Sequence, residues 1–244
     1  MRNNFIHLHL HSEYSISDSL IRINDLIEKV SETNSPSVSI TDHNNIFSLV
    51  KFYKLAIRNG VKPIIGIEVD MIDSTDISKL SRVVLLCKNM VGFNNLSNLI
   101  TDSYVNLNES NKFLVSKEEL AKRSDGLIAL SGGIYGDLAN SIRTGDDDLI
   151  NSSIKYWKKN FPESFYIEIT RTGKDFEDEY ISYAIDISEK HNIPIVASND
   201  VRFINKKDYQ AHEVRVCIND GSYLKDEKRK SEYNENQYLK SSEE

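Results

Sequence analysis

The chain has 244 residues, of which 39% are hydrophobic and 27% are charged, a composition typical of globular proteins in solution. Its net charge of −7 argues against a free-standing DNA-binding protein, because phosphate contacts need clustered Lys and Arg. No apolar run approaches the ~20 residues that span a bilayer, and the N-terminus has no apolar signal segment. We therefore expect a cytoplasmic protein, with Cys87 and Cys217 as free thiols in apolar surroundings.

Short β-rich runs alternate with helical patterns along the whole chain. The predicted strands are residues 5–10, 37–40, 63–69, 83–87, 127–130, 165–169 and 194–197. Three helices are predicted from apolar stripes, which are Ile23, Leu26, Ile27 and Val30; Phe47, Val50 and 54–57; and Tyr180, Tyr183, Ala184 and Ile187. Strands separated by helices are typical of parallel βαβ units, so we predict an α/β fold, as a closed or distorted barrel in preference to an open sheet.

The domain organisation predicted from composition is simple. Residues 1–225 form one domain, because no repeat, low-complexity tract or Pro/Gly-rich linker interrupts them. The polar tail, residues 226–244, is interpreted as a linker or as the truncated start of a further region.

The stretch HLHLH places His7, His9 and His11 at alternate positions of the first predicted strand. Alternate side chains of a strand share one face, so all three should point the same way. Asp18 follows in the loop that leaves this strand. A single histidine in such a position is more often a packed core residue than a ligand, so the pattern needs support from elsewhere in the chain.

That support comes from three later strand ends. SITDHNN supplies His43, IIGIEVD supplies Glu68 and VASNDVR supplies Asp200. The C-terminal ends of parallel barrel strands form active sites, and imidazoles with carboxylates suit two or three Zn²⁺, Mn²⁺ or Fe ions that clamp a phosphoryl oxygen. Asp42, next to His43, is also a suitable helix N-cap. The joint pattern nevertheless favours a metal-site framework.

Five segments give the sequence a specific resemblance. They are HLHLHSEYSISDSL, SITDHNNIFSLVKFYKLAIRNGVKPIIGIEVD, VVLLCKNMVGFNNLSNLI, DGLIALSGGIYGDL and VASNDVRFINKKDYQAHEVRVCINDG. In this order they resemble the N-terminal PHP (polymerase and histidinol phosphatase) domain of bacterial DNA polymerase III alpha subunits, over roughly residues 5–243. The resemblance implies a distorted seven-stranded (β/α) TIM-like barrel, the PHP fold.

The resemblance also implies a metal site, but an incomplete one. The residues that match the family's ligand pattern are His9, His11, Asp18, His43, Glu68 and Asp200, and His7 lies outside it. Three ligand positions are occupied by other residues, namely Arg82, Gly133 and Arg202. Because arginine cannot coordinate a metal but forms bidentate pairs with carboxylates, we predict that Arg82 and Arg202 replace the charge of missing ions.

Two alternatives to this charge replacement stay open. Both arginines could turn outward to solvent. A residual single-metal site, with Zn or Mn, could also persist on His9, His11 and Glu68, or on His43 and Asp18, because one zinc ion needs only three or four ligands.

The implied function belongs to a larger parent protein, which would synthesise DNA on a template using Mg²⁺ held in a later region. The resemblance implies that this segment is a structural scaffold, not itself catalytic, that docks the proofreading exonuclease and other holoenzyme subunits, with DNA bound by the parent's other domains. An enzymatic alternative is an active metal-dependent phosphoesterase or 3′–5′ exonuclease. A free-standing interaction protein is a third reading.

Overall fold

The computed structural model describes residues 5–73, 76–105, 113–226, 229 and 231–244, with the backbone alone at 76–79. Its helices are α1 (Ile23–Glu32), α2 (Leu49–Arg58), α3 (Met90–Val105), α4 (Lys117–Lys122), α5 (Asp137–Thr144), α6 (Asp147–Asn160), α7 (Glu177–His191) and α8 (Tyr209–Asp220). Its strands are β1 (Ser37–Ile40), β2 (Lys62–Asp73), β3 (Asp76–Cys87), β4 (Val115–Ser116), β5 (Leu127–Leu130), β6 (Phe165–Thr170) and β7 (Ile195–Ser198). Short 3-10 helices lie at Glu13–Ser15, Gly133–Tyr135 and Lys206–Asp208.

The chain divides into two compact units. The first comprises Met1–Ile64, Thr170–Asp175 and Ser198–Glu244, and the second comprises Ile65–Ile169 and Phe176–Ala197. The first unit therefore contains α1, β1, α2 and α8, and the second contains α3 to α7 with most of the strands. No helix within the described residues is long and apolar enough to cross a membrane.

The strand order is β1-β2-β3-β5-β6-β7, and β4 pairs with β2 outside this path. β5 and β6 are parallel, as expected, but β3 is antiparallel to both β2 and β5. The prediction of purely parallel strands is wrong here. Only two residues separate Asp73 from Asp76, which pair across the β2–β3 hairpin, whereas a parallel connection needs a crossover of about a dozen residues or more. The mixed α/β fold class is confirmed.

The predicted first strand, residues 5–10, is an extended segment that makes an isolated bridge between Leu10 and Val201 in place of a regular ladder. Its backbone bonds on both sides. The Ser39 amide donates to His7 O at 2.9 Å, and the His11 amide donates to Val201 O at 2.9 Å. This segment thus lies between β1 and the residues that follow β7, which positions its alternating histidines.

Two of the three predicted helical stripes are buried. α1 buries Ile23, Leu26, Ile27 and Val30, and α7 buries its predicted residues except Tyr183, which is 45% exposed. α2 differs, because it buries Phe52 and Ala56 while Phe47, Val50 and Ile57 are exposed. The apolar spacing of the α2 sequence correctly predicted a helix.

The second unit has an aromatic core. Trp157 stacks on Phe165, with ring centroids 4.8 Å apart and an interplanar angle of 4°. The indole N–H of Trp157 donates to Asp137 Oδ1 at 2.8 Å, and Lys117 Nζ lies 2.9 Å from Asp137 Oδ2. A buried carboxylate is costly unless it is paired and hydrogen-bonded, and these contacts meet that requirement.

Candidate functional site: a histidine and carboxylate cluster

His9 and His11 come from the extended N-terminal segment. The Val201 amide donates to His9 O at 3.1 Å, and this pairing fixes the backbone on both sides of Leu10. Because side chains alternate along an extended chain, the two imidazoles project to one side. Both are buried, and their Nε2 atoms are 3.2 Å apart, so that one ring donates to the other.

The tautomer of His11 follows from its neighbours. The Ser15 hydroxyl donates to Asp42 Oδ1 at 2.7 Å, so it accepts from His11 Nδ1, which lies 3.2 Å away. With the proton on Nδ1, Nε2 of a neutral His11 accepts from Nε2 of His9. A bond such as that of Nδ1 with Ser15 is the usual way in which proteins orient a metal-binding histidine.

Asp200 is a buried carboxylate of the first unit that lies beside two cationic side chains. Its Oδ1 accepts from Arg202 Nη2 at 2.6 Å and Nε at 2.8 Å, and lies 3.6 and 3.7 Å from Nε2 of His9 and His11. Lys174 Nζ lies 3.5 Å from the other oxygen. Burial alone would raise the pKa of Asp200, but Arg202 and Lys174 hold that pKa well below its usual range, so the carboxylate stays ionised.

Asp18 is the second carboxylate that faces Arg202. Arg202 Nη1 lies 3.7 Å from Asp18 Oδ2, His43 Nδ1 lies 3.4 Å from the same oxygen, and the Tyr233 hydroxyl donates to Oδ1 at 2.8 Å. Burial opposes ionisation of Asp18, but the His43 contact and the Arg202 charge lower its pKa well below the usual range. Arg202, only 1% exposed at its side chain, therefore supplies positive charge to two carboxylates, Asp200 and Asp18.

Asp42 organises the loops that hold this cluster. Besides Ser15, it accepts from the Ser12 amide at 2.7 Å and from the Ser48 hydroxyl at 2.6 Å. Helix α2 begins seven positions later at Leu49 with Ser48 as its N-cap residue, so the reading of Asp42 as a helix N-cap is wrong. The Asp42 carboxylate thus accepts hydrogen bonds from three serines, and His43 is the next residue in the chain.

Two residues of the tail complete the cluster. Gln237, fully buried, donates through Nε2 to Asp200 Oδ2 at 2.8 Å and to the Asp200 carbonyl at 3.1 Å. The backbone carbonyl of Gln237 accepts from the backbone amide of Arg202 at 2.8 Å. Sequence reasoning missed both Tyr233 and Gln237, because the tail was interpreted as a linker from its polarity alone; residues 227, 228 and 230 of that tail lie outside the described residues.

Glu68 and Arg82 belong to the second unit, on adjacent strands. Arg82 stands opposite Asp70 in the β2–β3 register, with its Nε 3.5 Å from Asp70 Oδ1 and its Nη1 3.6 Å from Glu68 Oε2. Arg82 thus points at carboxylates and is only 26% exposed at its side chain. Gly133 lies in a tight turn after β5, where a Cβ on the preceding Gly132 would lie 2.2 Å from Arg82 O.

The first unit therefore brings together five of the six predicted ligands: His9, His11, Asp18, His43 and Asp200. Two imidazole nitrogens and an adjacent carboxylate oxygen are a donor set that one Zn²⁺ or Mn²⁺ ion accepts. The set does not fit several ions, because Arg202 already occupies the space between the two carboxylates. These features define an α/β domain with a histidine–carboxylate site in which a guanidinium is the main counter-charge.

The chain belongs to the PHP family. The family model described as the PHP domain matches residues 7–172, which confirms the resemblance predicted from the sequence.

Curated relatives extend the match to the rest of the chain. The DNA polymerase III subunit alpha of Buchnera aphidicola (from Acyrthosiphon pisum) is 38% identical over 98% of this chain and 21% of its own length. The subunit of the same name from Pseudomonas aeruginosa is 37% identical over 99% of this chain and 20% of its own length. The chain thus spans about a fifth of the length of these relatives.

A solved structure shares the fold. An amidohydrolase from Chromobacterium violaceum, with bound sulfate and no metal, covers 86% of this chain and 96% of its own chain at 12% identity, with a TM-score of 0.54. At this identity the likeness concerns the fold alone, and it supports the predicted PHP-type α/β architecture.

Proposed function

We propose that this chain is the PHP region of a replicative DNA polymerase III alpha subunit, in a cytoplasmic replication machinery. The observation that carries the proposal is the match to subunits of that name over 98% of the chain. The parent protein would join deoxynucleotides to a primer end with Mg²⁺ held outside this segment. This segment, about a fifth of such a subunit, does not supply that polymerase site.

Within the parent protein, the segment acts as a structural scaffold and as a docking site for the proofreading exonuclease and other holoenzyme subunits. The arrangement around Arg202 supports a structural role. Its buried guanidinium pairs with Asp200 and faces Asp18. In a hydrolytic site, a metal ion would supply the positive charge at this position. In the second unit, Arg82 stands in the same relation to Glu68 and Asp70.

A single Zn²⁺ or Mn²⁺ ion on His9 and His11 is compatible with this proposal. Their Nε2 atoms are close enough to share one ion, and Ser15 fixes the His11 tautomer that ligation requires. A bound ion of this kind would stabilise the fold and supply a Lewis acid. Phosphodiester hydrolysis by paired ions needs a second ion clamped opposite the first, and Arg202 takes up that position.

Two assays on the purified chain test the proposal. Capture of the cognate proofreading exonuclease subunit supports docking, and failure to capture it contradicts docking. Release of phosphate or nucleotides from phosphodiester substrates is measured with added Mn²⁺ or Zn²⁺, and we expect none above background.

The second candidate is an active metal-dependent phosphoesterase or 3′–5′ exonuclease. The pairing of His9 with His11 beside Asp200 favours it. Activity in the presence of Mn²⁺ that disappears in His9→Ala, and survives in a variant of the exposed Arg58, would replace the scaffold proposal with this one.

A further inference from the structure

Helix α2 and the residue before Ser48 present four large apolar side chains to solvent. Phe47 is 68% exposed, Val50 60%, Tyr53 51% and Ile57 54%. We refer to these four residues as the α2 stripe. Val50, Tyr53 and Ile57, at spacings of three and four residues, lie along one side of the helix, and Phe47 lies just before its N-cap residue. Single exposed apolar residues are normal, but a contiguous group of this kind marks an interaction surface.

The α2 stripe is not a displaced part of the core. The helix already buries Phe52 and Ala56, and it packs against α1 within the same unit. Val50, Tyr53 and Ile57 therefore lie away from the face that folding uses. A helix that is apolar on both sides is expected where a second partner covers the outer side.

The charged residues within the segment that carries most of the α2 stripe, residues 49–62, have one sign. Residues 49–62 contain Lys51, Lys54, Arg58 and Lys62 and no acidic residue, although the whole chain carries a net charge of −7. Lys51 is paired with Glu13 at 3.2 Å. Within the described part of the chain, the other three cations are exposed and make no ion pair. A partner that covers the stripe therefore meets positive charge along its edge.

We propose that the α2 stripe docks an acidic amphipathic helix from another polypeptide. The apolar side of such a helix would cover Val50, Tyr53 and Ile57, and its flanking Glu or Asp residues would meet Lys54, Arg58 and Lys62. This is the helix-in-groove mode of recognition, in which anchors at three- and four-residue spacing give affinity and charge gives orientation. The inference rests on the docking part of the proposed function and assigns a surface to it.

Two other occupants fit the surface less well. A second copy of this chain would use the same patch on both partners, and would bring Lys54 and Arg58 against their own counterparts. Single-stranded DNA would satisfy the cations and stack on aromatic rings, but it would leave the aliphatic Val50 and Ile57 in water. An acidic apolar helix satisfies both the charge and the apolar area.

The experiment measures binding of synthetic fluorescent peptides to the 244-residue chain by anisotropy. The first peptide is an amphipathic helix with Leu at three- and four-residue spacing and Glu on its flanks. The second has the same composition with the Leu residues spread around the helix, and the third has Lys in place of Glu. Val50→Asp and Ile57→Asp test the stripe. Ile218→Asp is the matched control, because Ile218 is 77% exposed on α8 of the same unit.

We expect the first peptide to bind most tightly, and each stripe variant to weaken it about tenfold or more. Added salt should weaken it too, because the rim is charged, whereas Ile218→Asp should not change the affinity. Equal binding of the second peptide, or unchanged binding to Val50→Asp, overturns the proposal. A dimer of the chain that Val50→Asp dissociates overturns it in favour of self-association. Oligonucleotide binding that outcompetes the first peptide overturns it in favour of DNA.

If the wild-type chain captures the cognate exonuclease subunit and both stripe variants capture it equally, docking stands and the surface assignment is wrong. If the wild-type chain captures nothing but binds the first peptide through the stripe, the surface stands and the exonuclease is not its partner.

Discussion

Replacing Arg202 with methionine removes the guanidinium that pairs with Asp200 and keeps much of the apolar volume of the side chain. Both partners are buried, with side-chain exposures of 1% and 8%. Removing one partner of a buried ion pair costs about 3–5 kcal/mol, because the remaining charge is left uncompensated. Lys174 and Gln237 still contact Asp200, so the lower end of that range applies. We expect Arg202→Met to lower the free energy of unfolding by about 3 kcal/mol.

The assay is urea unfolding at neutral pH, followed by circular dichroism, with the slope of the transition checked for constancy. Arg58→Met is the control, because Arg58 is exposed at the end of α2, and we expect a change within about 0.5 kcal/mol. Adding Asp200→Asn to Arg202→Met should recover about 2 kcal/mol, since the stranded charge is gone. A cost for Arg202→Met equal to that of Arg58→Met would show that Arg202 does not compensate a buried charge.

Three further predictions concern the same fold. Gln237→Leu removes two hydrogen bonds to Asp200 and should lower stability by about 1–3 kcal/mol in urea unfolding, whereas the exposed Gln210→Leu should have little effect. Burial lowers the pKa of His212 from its ordinary value of 6.5, so the neutral ring favours the folded state and stability falls as the pH drops below about 6.5. His212→Gln should flatten this dependence of the unfolding free energy on pH. An unchanged slope of that free energy against pH would contradict the prediction. Gly136→Ala should cost about 3 kcal/mol in thermal unfolding, because a Cβ there would lie 1.7 Å from a backbone carbonyl oxygen; a silent substitution would show that the turn can move.

The acidic residues of the cluster add a second pH dependence of stability, which arises from carboxylates with a lowered pKa. Burial alone would raise the pKa of both Asp200 and Asp18, but Arg202 and Lys174 at Asp200, and His43 and Arg202 at Asp18, hold each pKa below the ordinary 3.8. Carboxylates with a depressed pKa stabilise the folded state above about pH 4 and lose that contribution as the pH falls further. In Arg202→Met the acid-induced loss of stability should therefore shrink, which the unfolding free energy below about pH 5 measures.

Several elements of the fold followed from sequence because the relevant information is local. β1 and β5 begin and end as predicted, since short apolar runs with β-branched residues favour strands. The direction of β3 did not follow. A β-rich run does not record whether its neighbour is parallel or antiparallel, and only the short connection from Asp73 to Asp76 distinguishes the two.

The candidate site divides in the same way. His9 and His11 lie beside Asp200, and strand alternation with strand ends is the kind of information that a sequence contains. The contribution of Gln237 was not readable, since one polar residue within a polar tail forms no periodic pattern that would indicate burial. The exposed side of α2 was not readable either. A helix with two apolar faces has a spacing that fits either side, and the sequence alone does not tell which side meets the core.

The metal content of the purified chain distinguishes a site with one ion or none from a hydrolytic site with several. The chain is equilibrated with excess Zn²⁺ or Mn²⁺, freed of unbound ions and measured by inductively coupled plasma mass spectrometry. We expect at most one ion per chain, lost in a variant that replaces both His9 and His11, because Arg202 supplies the remaining positive charge. Two or more tightly held ions per wild-type chain would contradict the account and would restore the hydrolytic interpretation.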